Sequence, residues 1–363
     1  MTVNLNRIEL AGFKSIRELE LDLHSLNVLI GANGAGKSNL ISLFGMLNQM
    51  VEQNFQVHVR RQGGSNTFLH FGQEHTDKIT VYLRFHQTAY RCVWVPTVDD
   101  KLIFAEETGI FYSDYGVSEQ PWGSGHQESL LPDKAEQFVF NVPIDVLRGL
   151  KSCKVYHFHN TSDAAKVKRI GDINDNLRLR PDAGNLAAFL YRLYRTNVDH
   201  YEAIRDTIRM VAPFFDDFIL RPLPENENKI RLEWRERGSD TPFLAHYLSD
   251  GSLRFMCLAT LLLQPQLPST VLIDEPELGL HPYAITVLAS LMRSAAARTQ
   301  VIVSTQSVSL VNQFEPEDLL IVERKDQATV IERVDAERLS EWLKEYSLGE
   351  LWEKNVLGGR PSR

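Results

Sequence analysis

Cysteine is scarce: the 363 residues contain three, Cys92, Cys153 and Cys257, far apart and with no paired spacing. That excludes a disulfide framework, a cysteine-rich zinc site and a CxxC redox pair, and it leaves three reduced, buried thiols as the expectation. Long apolar runs are missing too, none approaching the roughly 18 residues a membrane-spanning helix needs. The first residues lack the basic-then-apolar order of an export signal. A cytoplasmic protein with no membrane partner is expected. No heptad pattern persists over three repeats, so a long coiled-coil arm is not anticipated. Positive charge is in the minority, with 39 Lys and Arg against 47 Asp and Glu and a net charge of −8, so any contact with a phosphate backbone has to be local. At 43% hydrophobic and 24% charged, the chain can bury one large core or two moderate ones.

What is present begins with the apolar run Leu26 to Ile30, followed directly by Gly31-Ala32-Asn33-Gly34-Ala35-Gly36-Lys37-Ser38. This is a complete GxxxxGK[ST] loop, and strand, glycine loop and helix in that order form the context in which it cradles a nucleotide triphosphate. Glycines let the backbone wrap close enough for successive N–H groups to face phosphate oxygens, and the helix beginning near Lys37 adds its positive dipole end. Asn33, Gly34, Ala35, Gly36, Lys37, Ser38 and Asn39 are therefore the candidate nucleotide-binding residues. Lys37 is expected to reach the β and γ phosphates, and Ser38 to hold Mg²⁺.

Far downstream, the β-branched run from Ser269 to Ile273 ends in Asp274-Glu275-Pro276-Glu277. A strand buried on both faces of a parallel sheet reads this way, and ligands bind at the carboxyl ends of such strands. Asp274 is the second candidate metal residue, acting through water, and Glu275 is the candidate base that orients and deprotonates the attacking water. Before that strand, Leu248-Ser249-Asp250-Gly251-Ser252 enters the apolar helix Phe255 to Leu263, making a second helix N-terminus that can meet an anion. The same residues also suit an ordinary helix start.

Glycine loop, LS-x-G-S turn, Asp-Glu strand and the later Val301-Ile302-Val303-Ser304-Thr305-Gln306 together resemble the ATP-binding-cassette type of ATPase. More narrowly, the chain is similar to the RecF/SMC/OLD branch, and especially to the small "AAA family" ATPases found beside bacterial genome-maintenance and antiphage genes. Ile8-Glu9-Leu10-Ala11-Gly12-Phe13-Lys14-Ser15-Ile16 is similar to the GFKSF start of SMC-like heads, and Glu275-Pro276-Glu277-Leu278-Gly279-Leu280-His281-Pro282 looks like the OLD-type acidic motif. The resemblance covers roughly residues 3–90 and 215–335. It implies an α/β P-loop NTPase head with an antiparallel or mixed N-terminal sheet lobe, a parallel core sheet and a helical insert. It also implies ATP and Mg²⁺ as cofactors, and a homodimer in which Ser249 and Gly251 of one chain close on the γ-phosphate held by Lys37 of the other. Where the cassette pattern has a γ-phosphate-sensing His, this chain has Gln306, which can donate a hydrogen bond but cannot carry charge or relay a proton. Slow hydrolysis, that of a timed switch in DNA repair or antiviral defence with a separate effector subunit, is the expected activity. A nucleotide-stabilised scaffold or effector module is the rival, and a transporter motor the third reading. OLD-type nucleases carry a further metal-dependent domain, but only 57 residues follow Gln306. No nuclease activity is expected here, and a nuclease subunit would have to be supplied in trans.

The expected organisation is residues 1–96 as the N-terminal half of the head, 97–214 as a loop plus helical insert, 215–340 as the C-terminal half, and 341–363 as a helical tail. Strands are expected at Asn4 to Leu10, Ile79 to Phe85, Tyr90 to Val95, Phe218 to Arg221 and Ile230 to Arg235, and helices at Ser38 to Glu52, Asn185 to Arg195 and Val198 to Val211, with Pro213 stopping the last. Residues 113–135, rich in Gly, Ser, Pro, Gln and Glu, read as a surface loop. From Arg148 to Arg209 there are 12 Lys and Arg against 7 Asp and Glu. Lys166-Val167-Lys168-Arg169 and Arg178-Leu179-Arg180 could meet a DNA backbone or form a solvated face, and Arg60-Arg61 is equally open. Gln62, Gln73 and Gln87 are candidates for the lobe-connecting glutamine of cassette ATPases, with no basis for choosing among them. In Tyr156-His157-Phe158-His159-Asn160 the histidines share a face of an extended chain, but no matching Cys, His or Asp cluster is visible, so a polar strand end is expected. Trp342, Leu343, Tyr346, Leu348, Leu351 and Trp352 outline an amphipathic tail, either packed on the head or presented to a partner.

Overall fold

The computed structural model describes residues 4–137 and 142–359. The chain divides into two compact units: one of Met1–Val155, Pro268–Leu272 and Thr299–Arg363, the other of Tyr156–Leu267 and Ile273–Arg298.

In the first unit β1 (Arg7–Phe13) and β2 (Ile16–Asp22) form a hairpin, with Phe13 opposite Ile16. Gly12 beside the turn has φ +75°, and a Cβ there would lie 2.3 Å from the Lys78 carbonyl oxygen, so only glycine fits. β3 (Leu26–Ile30) is buried at all five positions, as its unbroken apolar run requires. α1 (Lys37–Val51) follows, burying Leu40, Ile41, Leu43, Phe44, Leu47 and Val51 on one broad stripe. After α2 (Phe55–Arg61) come β4 (Ile79–Phe85), β5 (Thr88–Pro96), β6 (Leu102–Ser113) and β7 (Gly116–Gly123). With β1 and β2 they make an antiparallel sheet in the order β2-β1-β4-β5-β6-β7.

β7 corrects the expected loop at 113–135. Its residues are nearly all exposed or half-buried, so the segment has no apolar run of its own, and its strand state is imposed by backbone pairing with β6. Pro121 is tolerated because this is an edge strand. Then come α3 (Leu131–Gln137), α4 (Val142–Ser152) and β8 (Cys153–Tyr156).

The second unit holds β9 (Gly171–Asp172), α5 (Leu186–Thr196), α6 (Val198–Val211), β10 (Phe215–Ile219), β11 (Lys229–Ile230), β12 (Glu233–Glu236), β13 (Phe243–Leu244) and α7 (Asp250–Leu263). The single strand expected at Ile230 to Arg235 is split, β11 pairing with β9 while β12 lies between β10 and β13. Every α7 residue from Leu253 to Leu262 is buried, as befits a helix that is apolar on nearly every side, Arg254 and Thr260 being its polar exceptions. It packs on α6 and on α8 (Pro282–Ala296), which follows β14 (Thr270–Asp274).

β15 (Gln300–Thr305), α9 (Val308–Val311), β16 (Leu319–Lys325), β17 (Ala328–Arg333), α10 (Ala336–Leu339) and α11 (Leu348–Glu353) complete the chain. The second six-stranded sheet has the order β17-β16-β3-β15-β14-β8. In it β3 runs parallel to both β15 and β16. All three cysteines are free and buried, as expected. No helix among the described residues is long and apolar enough to cross a membrane.

Candidate functional site

The glycine loop lies at the carboxyl end of β3, between two parallel neighbours, with Ile30 opposite Thr305 on one side and Ile321 on the other. This register sets Gln306, the next residue of the β15 chain, beside the start of the loop. A Cβ on Gly31 would sit 2.1 Å from the Val322 carbonyl oxygen, so the backbones press together there without room for a side chain. Gly36, the N-cap of α1, has φ +116°, and its Cβ would lie 2.1 Å from Thr329 Oγ1. Thr329 explains this tightness. Asn39 Nδ2 donates to Ser15 Oγ (2.6 Å), Ser15 Oγ and Thr329 Oγ1 are 2.7 Å apart, and Thr329 Oγ1 donates to the Ala35 carbonyl (2.7 Å). A relay of three side chains thus braces the loop from β17 and the first hairpin. Asn39 spends its amide on this brace.

Lys37 is buried, with Nζ donating to the carbonyls of Gly31 (2.6 Å) and Ala32 (3.0 Å), so its ammonium is curled over the loop. Asn33, Gly34 and Ser38 are exposed, and Ala35 and Gly36 are buried. The chain end returns here: the Ala32 N–H donates to the Gly359 carbonyl at 2.9 Å. Leu348, Leu351 and Trp352 are buried as α11 packs on α9, while Trp342 stays 48% exposed. The tail is therefore mainly packing surface. Lys14, from the GFKS stretch, is held 2.9 Å from Ser42 Oγ on α1, and burial lowers its pKa.

In the second unit, Ser249 is the N-cap of α7: its Oγ accepts from the Ser252 N–H at 3.2 Å. Ser249 and Asp250 are exposed. Gly251 is pressed against the loop that follows the acidic strand, where a Cβ would lie 2.3 Å from the Gly279 carbonyl oxygen. In that loop Glu275 has φ +41°, a left-handed conformation that costs a non-glycine residue energy, and Gly279 has φ +74°. The loop ends where His281 caps α8, Nδ1 accepting from the Tyr283 N–H at 3.3 Å. Asp274 closes β14, half-buried.

The histidine pair has a neighbour here that the sequence did not show. His157, His159 and Asp274 present ligand atoms that all lie within 4.8 Å of one another, so the histidine pair does have the acidic partner that the sequence did not reveal. The missing signal was long-range, since the residues that meet are more than a hundred positions apart. Arg254 was missed as well. It is buried in α7, where Nε donates to the Phe158 carbonyl (3.1 Å) and Nη2 to that of His159 (3.3 Å), and burial lowers its pKa. A lone arginine inside an otherwise apolar helix was the available signal.

The basic clusters are largely ion-paired: Lys166 with Asp182 (2.7 Å), Arg180 with Asp175 (2.7 Å), and Lys168 with Asp163 (3.8 Å). Ion pairs between exposed side chains are worth little energetically in water. Gln62, Gln73 and Gln87 are all exposed. The first unit thus holds Asn33 to Asn39 with Gln306, and the second holds Asp274 and Glu275 with Ser249 and Gly251.

A family model described as "AAA domain, putative AbiEii toxin, Type IV TA system" matches residues 26–86 and 152–312, well over half of the chain. No curated protein matches the sequence. Among solved structures, an Smc head bound to the C-terminal winged-helix domain of ScpA superposes with TM-score 0.57, at 16% identity over 93% of this chain and 99% of that one. An Smc head with an extended coiled coil, bound to the C-terminal domain of ScpA and derived from Pyrococcus furiosus, gives 0.55, at 15% identity over 94% and 99%. At such identities the likeness is one of fold, an α/β head with an antiparallel N-terminal sheet and a mostly parallel core sheet.

Proposed function

Because the chain belongs to the AAA-domain family described as putative AbiEii toxin, Type IV TA system, and is a P-loop ATPase with an SMC-head fold, we propose that it is a slow, ATP-gated dimerising switch. The observation that carries the reading is the exposed N-terminus of α7. Ser249 and Asp250 face solvent at the start of a helix whose remaining turns are buried, which leaves a capped, dipole-positive end open to the phosphates of a second copy.

Lys37 and Ser38 would hold the triphosphate and its Mg²⁺, with Asp274 as the further metal residue that the cassette resemblance implies. When bound, Mg²⁺ would offset phosphate charge. Lys37 leaves the carbonyls of Gly31 and Ala32 for the β and γ phosphates, so the same ammonium that neutralises the loop when it is free becomes the phosphate ligand. The exposed Asn33 and Gly34, with no neighbour within 4 Å of a Gly34 Cβ, support an open cradle for the phosphates. Glu275 takes the proton of the attacking water, and its strained backbone supports a carboxylate aimed by the fold rather than by its own preference. Gln306 donates a neutral hydrogen bond to the γ-phosphate, which leaves hydrolysis slow. The closed dimer acts on a separate effector subunit in DNA repair or antiviral defence. The toxin–antitoxin wording of the family and the ScpA partners of the Smc heads both support a protein partner for such a head.

Size-exclusion chromatography with light scattering tests this. Glu275→Gln should elute as a dimer in millimolar ATP, and Lys37→Ala should bind no ATP and remain a monomer. A Glu275→Gln chain that binds ATP yet stays monomeric would remove the switch from the proposal.

A further inference from the structure

We propose that His157, His159 and Asp274 form a binding site, in the nucleotide-free chain, for a first-row transition-metal dication of the Zn²⁺ or Mn²⁺ kind; it shares Asp274 with the Mg²⁺ site proposed above and differs from it by its two imidazole nitrogens. The inference does not rest on the nucleotide reading, because it stands on residues of one compact unit and on their donor atoms alone.

The geometry comes first. His157 and His159 flank Phe158 directly after β8, and their imidazoles lie side by side with ring centroids 6.4 Å apart. Phe158 turns the other way into the core, tilted against Tyr156 with ring centroids 5.8 Å apart. The carboxylate of Asp274 completes the set, with all three ligand atoms mutually within 4.8 Å. Around an ion with metal–nitrogen bonds of about 2.1 Å, neighbouring donors stand roughly 3 to 3.4 Å apart. Rotation of the two imidazoles toward Asp274 spans the remaining distance. His157 is exposed while His159 and Asp274 are half-buried, so an ion has a path in from solvent.

The backbone beneath the histidines is fixed. The His157 N–H donates to the Pro181 carbonyl at 2.9 Å, and the buried Arg254 clamps the carbonyls of Phe158 and His159. Ligands on a clamped backbone lose less conformational freedom when they close on an ion.

The chemistry then selects the ion. Mg²⁺ and Ca²⁺ take oxygen ligands almost exclusively, whereas two imidazoles and a carboxylate suit Zn²⁺, Mn²⁺, Fe²⁺ or Co²⁺. Three protein ligands leave at least one position for solvent.

Titration calorimetry of the nucleotide-free full chain with Zn²⁺ provides the test. One ion per chain is expected, bound at micromolar affinity or tighter. The affinity should weaken at least 100-fold in His157→Ala/His159→Ala and be largely restored in His159→Cys, which keeps a ligand at that position. ATP binding by the double alanine variant, read with a fluorescent analogue, should be unchanged. X-ray absorption of the Co²⁺-loaded wild-type chain needs no variant, and two imidazole scatterers are expected. An all-oxygen shell, or Zn²⁺ affinity unaltered in the double variant, overturns the site. Zinc binding without ATP binding would instead sink the proposed function and leave this inference standing.

Discussion

Replacing Gly251 with alanine separates two roles for one residue. The resemblance to cassette ATPases assigns Gly251 to a phosphate bound by another copy, but within its own chain it is also the contact that seats the Glu275 loop. The added methyl would lie 2.3 Å from the Gly279 carbonyl oxygen, so that oxygen must retreat by about 1 Å to reach an ordinary contact. Gly279 sits in the left-handed region at φ +74° and Glu275 at φ +41°, so the loop between them has little freedom to absorb the shift locally. Overpacking of this kind costs about 1 to 3 kcal/mol, offset by up to about 1 kcal/mol from better helix propensity. There is a separate chemical consequence, because a 1 Å misplacement of a reacting group can cost about 100-fold in rate, or about 2.7 kcal/mol of barrier.

Gly251→Ala is therefore expected to lose no more than about 3 kcal/mol in urea denaturation and about 100-fold in ATP turnover. Mixing it with Lys37→Ala makes the test decisive. In the proposed arrangement a mixed dimer has one site with an intact Lys37, and the Glu275 that serves it belongs to the Gly251→Ala chain. If Gly251 places Glu275 in its own chain, the mixture stays inactive. Recovery of activity toward a quarter of the wild-type level, one competent site in the half of the dimers that are mixed, would show that Gly251 acts only across the interface, and would refute the packing argument.

Further consequences are open to measurement. Glu107 is fully buried in β6, accepting from Tyr90 Oη (2.7 Å), Ser129 Oγ and the Leu130 N–H (2.8 Å), with His126 Nε2 at 2.9 Å; Glu107→Ala strands these groups and should cost about 3 kcal/mol in chemical denaturation. His58 has its pKa lowered from the ordinary 6.5, first by burial and then by Lys14 and Arg61. The unfolded chain therefore binds this proton more readily, so stability is full above about pH 6.5 and falls as the pH drops below it, and the denaturation midpoint of His58→Gln should fall less between pH 7 and 5.5. Turnover of the wild-type chain should stay below roughly 10 s⁻¹, and Gln306→His should raise it by restoring an ionisable group; a faster wild type contradicts the slow-switch reading.

Local chemistry was legible wherever a single stretch of chain dictates it. The glycine loop, the five-residue buried strand before it and the helix after it were readable because backbone conformation and apolar spacing are short-range properties. So was the Ser249 cap, set by one side chain and an N–H three residues on. The edge strand β7 was not legible, because its pairing with β6 carries the signal and its own residues are polar.

The kind of head this chain builds was readable from one short stretch, because a phosphate loop needs glycines between a buried strand and a helix. Tertiary structure decided what braces and accompanies those residues. Asn39, Ser15, Thr329 and Ala35 form one relay across some three hundred positions, and Asp274 joins His157 and His159 only because folding brings separate strands together. Such meetings leave no local periodicity to read. They arise when burial of apolar surface fixes the strand order, and the polar groups that the order brings side by side then find their partners.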